Sequence, residues 1–408
     1  MNIFIGTHDT ASILAELAAG FRELGAETTS YVEHRSKFYR TTTYDIYQPY
    51  LLSKIFKYNY STIIPHKIIK LVEWFDKIIS FPYLLYKNKK IVDNNEVFIF
   101  IYKPWFKESY LFPKLKKKGK KIVCIHLGSD ARHISAFEQE FKINTSSWER
   151  YYHTDSLDKK IKKIRTHELY ADLIYSVPDQ AGLLIAPYNH IFIPLSKDKK
   201  IVYNIPGKKV PLIIHAPSVS GIKGSEIIKA AIEELQKDGI ECTFRLVRNM
   251  PNKDLLELLS EADILVDELF LHGPGVLSLE AMKAGCAVAT RCLMKPPLVP
   301  PLVAIDEHNL YDEIKNLILD IPYRIQLAKQ GAAYVSSNND SSTIAKNILS
   351  DIQNLNKVRD YYPQFFVNEY IPSKSISEKA KQLNRMVLKR FGKLTETTSA
   401  SLKKRDLI

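Results

Sequence analysis

The chain has 408 residues, 45 % hydrophobic and 25 % charged, with 15 Gly and 20 Pro. That composition excludes collagen-like, low-complexity and disordered chains, and the length suggests two domains. With 58 Lys and Arg against 45 Asp and Glu the net charge is +13, which points to an anionic partner if the charge is concentrated.

In chain order, Ile3–Gly6 reads as a short buried strand and Thr7–Ser12 as a polar turn with helix-capping residues. Ile13 to Leu24 reads as a helix ended by Gly25. Residues 35–60 are Tyr-rich and give no clear assignment. From about Ile63 to Ile79, Ile64, Ile68, Leu71, Val72, Phe75, Ile78 and Ile79 recur at three and four, so one helical face is apolar, with Trp74 beside it and Lys67, Lys70 and Lys77 near its edges. Such a helix suits a lipid interface or the surface of a sheet. Val97–Tyr102, Lys121–His126 and Ala171–Val177 are buried strands by pattern, and Ile191–Leu195 is a candidate fourth.

Basic clusters lie at Lys87–Lys90, Lys114–Lys121 and Lys159–Lys163. Residues 51–165 hold 24 Lys and Arg against 11 Asp and Glu, an excess equal to that of the whole chain. No zinc-finger spacing and no helix-turn-helix, RRM or KH signature accompanies them. An acidic membrane surface is therefore the expected partner of residues 51–165, and no nucleic acid is expected. The first residues carry no secretory signal, and no run of ~18 apolar residues offers a spanning helix. The expected location is the cytoplasm, including the cytoplasmic face of the membrane. Cys124, Cys242 and Cys286 sit in or beside apolar runs and, with Cys292, show no metal spacing. They are expected as buried free thiols.

Residues 197–210 break the pattern with charge, Pro and Gly and read as a linker. The second half repeats the alternation more cleanly. Pro211–Ala216, Cys242–Val247, Ile264–Val266 and Ala287–Thr290 are strands. Gly224–Lys237, Asn252–Ala262, Gly275–Ala284, Leu310–Leu319 and Ile325–Ser336 are helices. The expected fold class is α/β, with two Rossmann-like doubly wound domains (1–196 and 211–340) facing across a cleft. Residues 341–408 are expected as C-terminal helices and a basic tail, with a helix at Ser377–Phe391, an extended aromatic stretch at Tyr361–Phe366 and a disordered last dozen residues; this region is able to pack back on the first domain.

The most informative stretch runs from His272-Gly273-Pro274-Gly275 through Val276-Leu277-Ser278-Leu279-Glu280-Ala281-Met282 to Gly285. It opens a helix after a strand. Backbone amides of Gly275, Val276 and Leu277 would meet a diphosphate there, since Pro274 has no N–H. Glu280 lies about one turn in, within reach of sugar or ribose hydroxyls. This stretch resembles the retaining, nucleotide-sugar-dependent glycosyltransferases of the GT-B fold, family 4 in particular. Their hallmark is two Glu separated by seven residues, followed by Ala-Met and a Gly turn. Glu280-Ala281-Met282 matches the second half, while His272 stands where the first Glu would fall. Asp267 or Glu268 is positioned to supply a carboxylate instead, or both are plain strand-end residues.

The resemblance implies further site residues. Lys223-Gly224-Ser225 matches the loop whose Lys pairs with the diphosphate, although Pro217 and Ser218 occupy the place of a customary Arg. Arg248, in Leu246–Pro251, matches a loop lining the nucleobase, or is a surface charge. His126, followed by Gly128-Ser129-Asp130-Ala131-Arg132, matches a His that meets the donor sugar; Asp130 and Arg132 either serve an acceptor or phosphate loop or pair with each other. Gly6 is what remains of a Gly-rich loop after the first strand. Implied, then, is glycosyl transfer from a nucleoside diphosphate sugar to a glycan or lipid-linked acceptor, with catalytic His126 and Glu280, donor-binding Lys223, Gly224, Arg248, Glu268, His272, Gly275, Val276 and Leu277, and no metal or other cofactor. A degenerate glycosyltransferase-like scaffold is the alternative.

Overall fold

The computed structural model describes residues 1–33, 42–47, 71, 75, 86, 88–105, 107–132, 156–177, 181–195, 203–218, 220–294, 298–355, 376–391, 400 and 403. Among these, seven parallel strands form the first sheet: β1 (Asn2–Thr7), β2 (Glu27–Val32), β3 (Ile46–Tyr47), β4 (Val97–Ile101), β5 (Lys121–His126), β6 (Leu173–Ser176) and β7 (Asn189–His190), in the order β3-β2-β1-β4-β5-β6-β7. All five residues of Val97–Ile101 are buried, as a parallel strand covered on both faces requires. One face carries Phe4, Phe98, Phe100 and Trp105, with the Phe4 and Trp105 rings edge to face at 4.7 Å. The other packs α1 (Ile13–Glu23) through Ile13, Leu14, Leu17 and Phe21. The polar turn before α1 caps it through Asp9, whose Oδ1 accepts from the Leu14 N–H at 3.0 Å.

Two basic clusters prove to lie on helices that the sequence pattern concealed. α2 (Glu108–Lys117) buries Leu111, Phe112 and Leu115, and α3 (Leu157–Tyr170) buries Ile161 and Ile164. Their lysines occupy the remaining faces, so Lys-rich composition hid a narrow apolar stripe. Ile191–Leu195 is not a strand. The edge strand is β7, two residues earlier, and the 191–195 segment makes only an isolated bridge, from Leu195 to Asp340. The expected 63–79 helix falls outside the described residues except at 71 and 75. Both of those are helical, and Leu71 and Phe75 are exposed. Residues 361–366 and nearly all of the last dozen also lie outside the described residues.

The second sheet is also parallel: β8 (Leu212–His215), β9 (Thr243–Leu246), β10 (Ile264–Val266), β11 (Ala287–Thr290) and β12 (Val303–Ala304), ordered β12-β11-β10-β8-β9. Around it lie α4 (Ser220–Lys223), α5 (Ser225–Lys237), α6 (Asn252–Leu259), α7 (Val276–Ala284), α8 (Leu310–Leu319) and α9 (Ile321–Asn338). Arg324, fully buried on α9, donates to the carbonyls of Leu317 and Ile318 at the end of α8 and of Pro206 and Lys208 in the incoming segment. One guanidinium thus satisfies a helix C-terminus and a chain entry. All four cysteines are free, with Cys124 and Cys286 buried. Cys242 and Cys292 are only half-buried, a correction to the expected burial of both; the place of Cys242 at the sheet edge leaves one side open.

After α9 the chain returns to the first sheet. α10 (Ser341–Gln353) packs on α1, with Ile344, Ala345, Ile348 and Ile352 entering the first lobe's core. At the closest approach a Cβ on Gly20 would stand 2.4 Å from the Ser341 carbonyl oxygen, so Gly20 is required there. α11 (Glu378–Phe391) packs on α3, and Arg390 donates to the carbonyls of Glu168 and Ala171. The two passages between lobes run side by side: Leu195 N–H donates to Asn339 O, Asn339 Nδ2 to Ile193 O, and Ser341 Oγ to Leu195 O.

Candidate active site

In a parallel sheet wound in both directions, the crevice beyond the strand carboxyl ends opens where the order reverses. In the second sheet that point lies between β8 and β10. Lys223, Asp267 and Glu268 meet there. Lys223 is brought in by the break between α4 and α5 at Gly224, which has φ 68° and whose added Cβ would stand 2.8 Å from Leu269 Cδ1. Gly224 is therefore architectural: it allows the turn that delivers the ammonium.

Lys223 Nζ donates to Asp267 Oδ1 at 2.7 Å and to Glu268 Oε2 at 2.5 Å. Ser278 Oγ, on α7, donates to the other oxygen of Asp267 at 2.6 Å. Both carboxylates are buried and the Lys223 side chain is 12 % exposed. Two acids thus share one ammonium. Burial pulls Lys223 down, but the two carboxylates outweigh it and hold its pKa above the ordinary value. Burial pushes Asp267 up, yet Lys223 and Ser278 bring it below the usual range. In Glu268 burial dominates and, with Asp267 beside it, the carboxyl is pushed up to about 7 against the pull of Lys223 and Arg132. Glu268 Oε1 is buried without a hydrogen-bond partner.

Gly275 lies directly beside this cluster. A Cβ there would be 3.5 Å from Asp267 Oδ2, 3.7 Å from Glu268 Oε1 and 3.8 Å from Lys223 Nζ, all ordinary contacts. Gly275 is the N-cap of α7, which has no side-chain cap and no acid in its first turn. Its first N–H groups therefore have no helical acceptor and carry the positive end of the dipole. Gly275, Val276 and Leu277 are half-buried at this point.

Across the gap stands the loop after β5. His126 is fully buried, and its Nδ1 bonds Asp130 Oδ2 at 2.7 Å. Asp130 Oδ1 accepts from the Leu127 and Gly128 N–H groups. Burial opposes ionisation, but His126 and the Gly128 amide hold the Asp130 carboxyl down to about 2. Asp130 thus pairs with His126, and the alternative Asp130–Arg132 pair is not formed. The Arg132 guanidinium lies close enough to act on Glu268 in the opposite lobe. Val276 packs against hydrophobic cores of both lobes. Behind His126, His167 lies with its ring 5.3 Å away, and burial pushes its pKa down to about 4.

The other candidates sit further out. Glu280 is buried, and both its oxygens accept from Asn252 Nδ2 at 3.2 Å, at the start of α6. His272 is buried, and its carbonyl accepts from Leu293 N–H. Arg248 is exposed just beyond β9, where its charge reaches His215. Gly6 serves packing: an added Cβ would stand 2.8 Å from the Phe4 ring and 3.0 Å from the Tyr31 carbonyl. The sequence pattern assigns Asn252 and Ser278 no site role, and only their positions at helix starts distinguish them. Among the described residues no group of three His, Cys, Asp or Glu is arranged to hold a metal ion, and no helix is long and apolar enough to cross a membrane.

No protein-family model matches the chain, and no curated protein matches it. Solved structures do. Sucrose-phosphate synthase from Thermosynechococcus elongatus superposes with a TM-score of 0.57 at 13 % identity, covering 88 % of this chain and 99 % of that one. HepE from Anabaena, in complex with UDP and glucose, has a TM-score of 0.52 at 11 % identity over 86 % of this chain and 99 % of its own. An α-glucosyltransferase in complex with UDP-glucose and DNA containing an abasic site has a TM-score of 0.52 at 12 % identity, over 86 % and 99 %. The chain has the GT-B fold. In GT-B terms, the Lys223 cluster and the start of α7 belong to the second lobe, and His126, Asp130 and Arg132 to the first.

Proposed function

We propose that this GT-B chain is a glycosyltransferase that moves a sugar, with retention of configuration, from a nucleoside diphosphate sugar to a glycan or lipid-linked acceptor. The observation that carries the reading is the uncapped start of α7 at the second lobe's switch point, with Lys223 beside it and Arg132 opposite. The UDP held by HepE, which shares the fold, favours UDP as the nucleotide.

As the glycosidic bond breaks, negative charge grows on the leaving diphosphate. The amides at Gly275–Leu277, with Lys223 and Arg132, stabilise charge where it develops. His126, oriented by Asp130, positions the transferred sugar from the first lobe. Glu280, with Asn252, holds the ribose side. Closure of the lobes about the paired 193–195 and 339–341 passages excludes water and so limits hydrolysis. The acceptor approaches the first lobe, where the basic 51–165 region and exposed Leu71 and Phe75 favour a membrane-held acceptor at the cytoplasmic face. Synthesis of a surface polysaccharide or glycolipid is the matching role.

A second reading, a scaffold without turnover, is favoured by the double engagement of Lys223 with carboxylates and by His272 in the place of the family's first Glu. Thermal unfolding with a panel of UDP-, GDP- and ADP-sugars separates the two, followed by a measurement of nucleotide release from the sugar that stabilises. One donor at a hundredfold over its Kd should stabilise by about 2.7 kcal/mol and release its nucleotide. Stabilisation without any release supports the scaffold, and no stabilisation by any of the donors contradicts the transferase and leaves the scaffold.

A further inference from the structure

Glu268 has a position that nucleotide binding alone does not explain. It is fully buried; one oxygen is taken by Lys223 and the other has no partner. The unpartnered oxygen lies 3.7 Å from where a Cβ on Gly275 would be, and so borders the N-terminal turn of α7. Each neighbouring element contributes to its surroundings. Asp267, next in its own strand end, is a second acid; α4 supplies Lys223; α7 supplies its dipole and Ser278; the first lobe supplies Arg132. From beyond β11, Arg291 gives its backbone N–H to the Glu268 carbonyl, while its guanidinium turns to Glu307 at 3.6 Å. His215, at the end of β8, is held by Val266 O and Ser225 Oγ.

Before any ligand arrives, therefore, two buried carboxylates already face one ammonium. A diphosphate at Gly275–Leu277 would bring further negative charge into the same few ångströms. Like charges in a buried site cannot all remain ionised, and Asp267, holding both Lys223 and Ser278, is the acid better kept as a carboxylate. We propose, on the donor-site reading above, that Glu268 takes up a proton from solvent when the diphosphate seats, and that as a neutral acid it donates a hydrogen bond through Oε1 toward the bound phosphates. Glu268 then makes the site selective for a diphosphate: a nucleoside without phosphates gives it no reason to protonate. The free carboxyl, already pushed up to about 7 by burial, needs little further shift.

Calorimetry of UDP binding in buffers of different ionisation enthalpy at pH 8 tests this, with uridine as the comparison and Glu268→Gln as the variant. The parent should take up about one proton per UDP, and its Kd should rise about tenfold per pH unit above 7.5. Uridine should show no uptake, and Glu268→Gln should bind UDP with no uptake and a flat profile over that range. Infrared difference spectra of the parent provide a readout that needs no variant: adding UDP at pH 8 should produce a new carboxylic-acid carbonyl band. UDP binding with no proton uptake and no such band overturns the inference while leaving the donor site intact, and so does uptake that persists unchanged in Glu268→Gln. Failure of UDP to bind would remove the donor-site reading and this inference with it.

Discussion

Lys223→Met is expected to lose about 3–5 kcal/mol of stability at pH 7.5, because it strands Asp267 and Glu268 as buried charges without their cation. The loss should shrink on acidification. Without the ammonium both carboxyls have folded-state pKa values raised above their unfolded values, so the folded state binds protons first, and stability relative to the parent rises as the pH falls from 7.5 toward 5. Urea unfolding of parent and variant at both pH values measures this. Adding Glu268→Gln to Lys223→Met should recover part of the loss, since the two positions share one interaction. A cost below about 1 kcal/mol at neutral pH would mean that the triad behaves as a solvated surface pair instead. The same substitution should abolish UDP binding under conditions where the variant is folded.

Arg165→Met is expected to destabilise to a similar degree for a purely architectural reason. Arg165 is fully buried and pairs with Glu168; its Nε donates to Asn384 Oδ1 at 2.6 Å and its Nη2 to the Leu183 carbonyl at 2.5 Å. Glu168 in turn accepts from the Ile185 and Ala186 N–H groups. One guanidinium therefore joins α3, the 183–186 loop and α11. Removing it leaves a buried charge short of its cation and takes one donor from each of two acceptors, at a cost of about 3–5 kcal/mol. The double variant Arg165→Met, Glu168→Gln should be less damaged than Arg165→Met alone, which chemical denaturation would show. Equal damage in the two would mean that packing of the long side chain, and not its charge, holds this joint.

The second lobe was the more legible in the sequence. Its strands at Ile264–Val266 and Ala287–Thr290 and its helix at Leu310–Leu319 match the structure to the residue, because short apolar runs alternate there with amphipathic helices between Gly and Pro. In the first lobe β2 (Glu27–Val32) is not legible in the pattern: it begins with polar residues that are exposed or half-buried, held in the strand by parallel pairing with β1 and not by an apolar run. Helices are expected after residue 341, but the bounds of α10 are not legible, because Ser, Asn and Asp interrupt its apolar positions, which gain their meaning only from contact with α1. At the candidate site, the Gly275 turn and Lys223 could be found from sequence. The pairing of Lys223 with Asp267 and Glu268 could not, since it joins the end of α4, beyond β8, to the residues just after β10, and β8 and β10 are neighbours only through a crossover. Nor could the partner of Asp130. Sequence proximity offered Arg132, and the backbone turn, with Leu127 and Gly128 donating to Asp130, brings His126 to it instead.

A crystal structure of the protein with UDP tests the central claim most directly. The account predicts the diphosphate at the amides of Gly275–Leu277, between Lys223 of the second lobe and Arg132 of the first, within hydrogen-bond distance of Glu268 Oε1. A diphosphate bound elsewhere, with the start of α7 closed to it and Lys223 still held by both carboxylates, would contradict it.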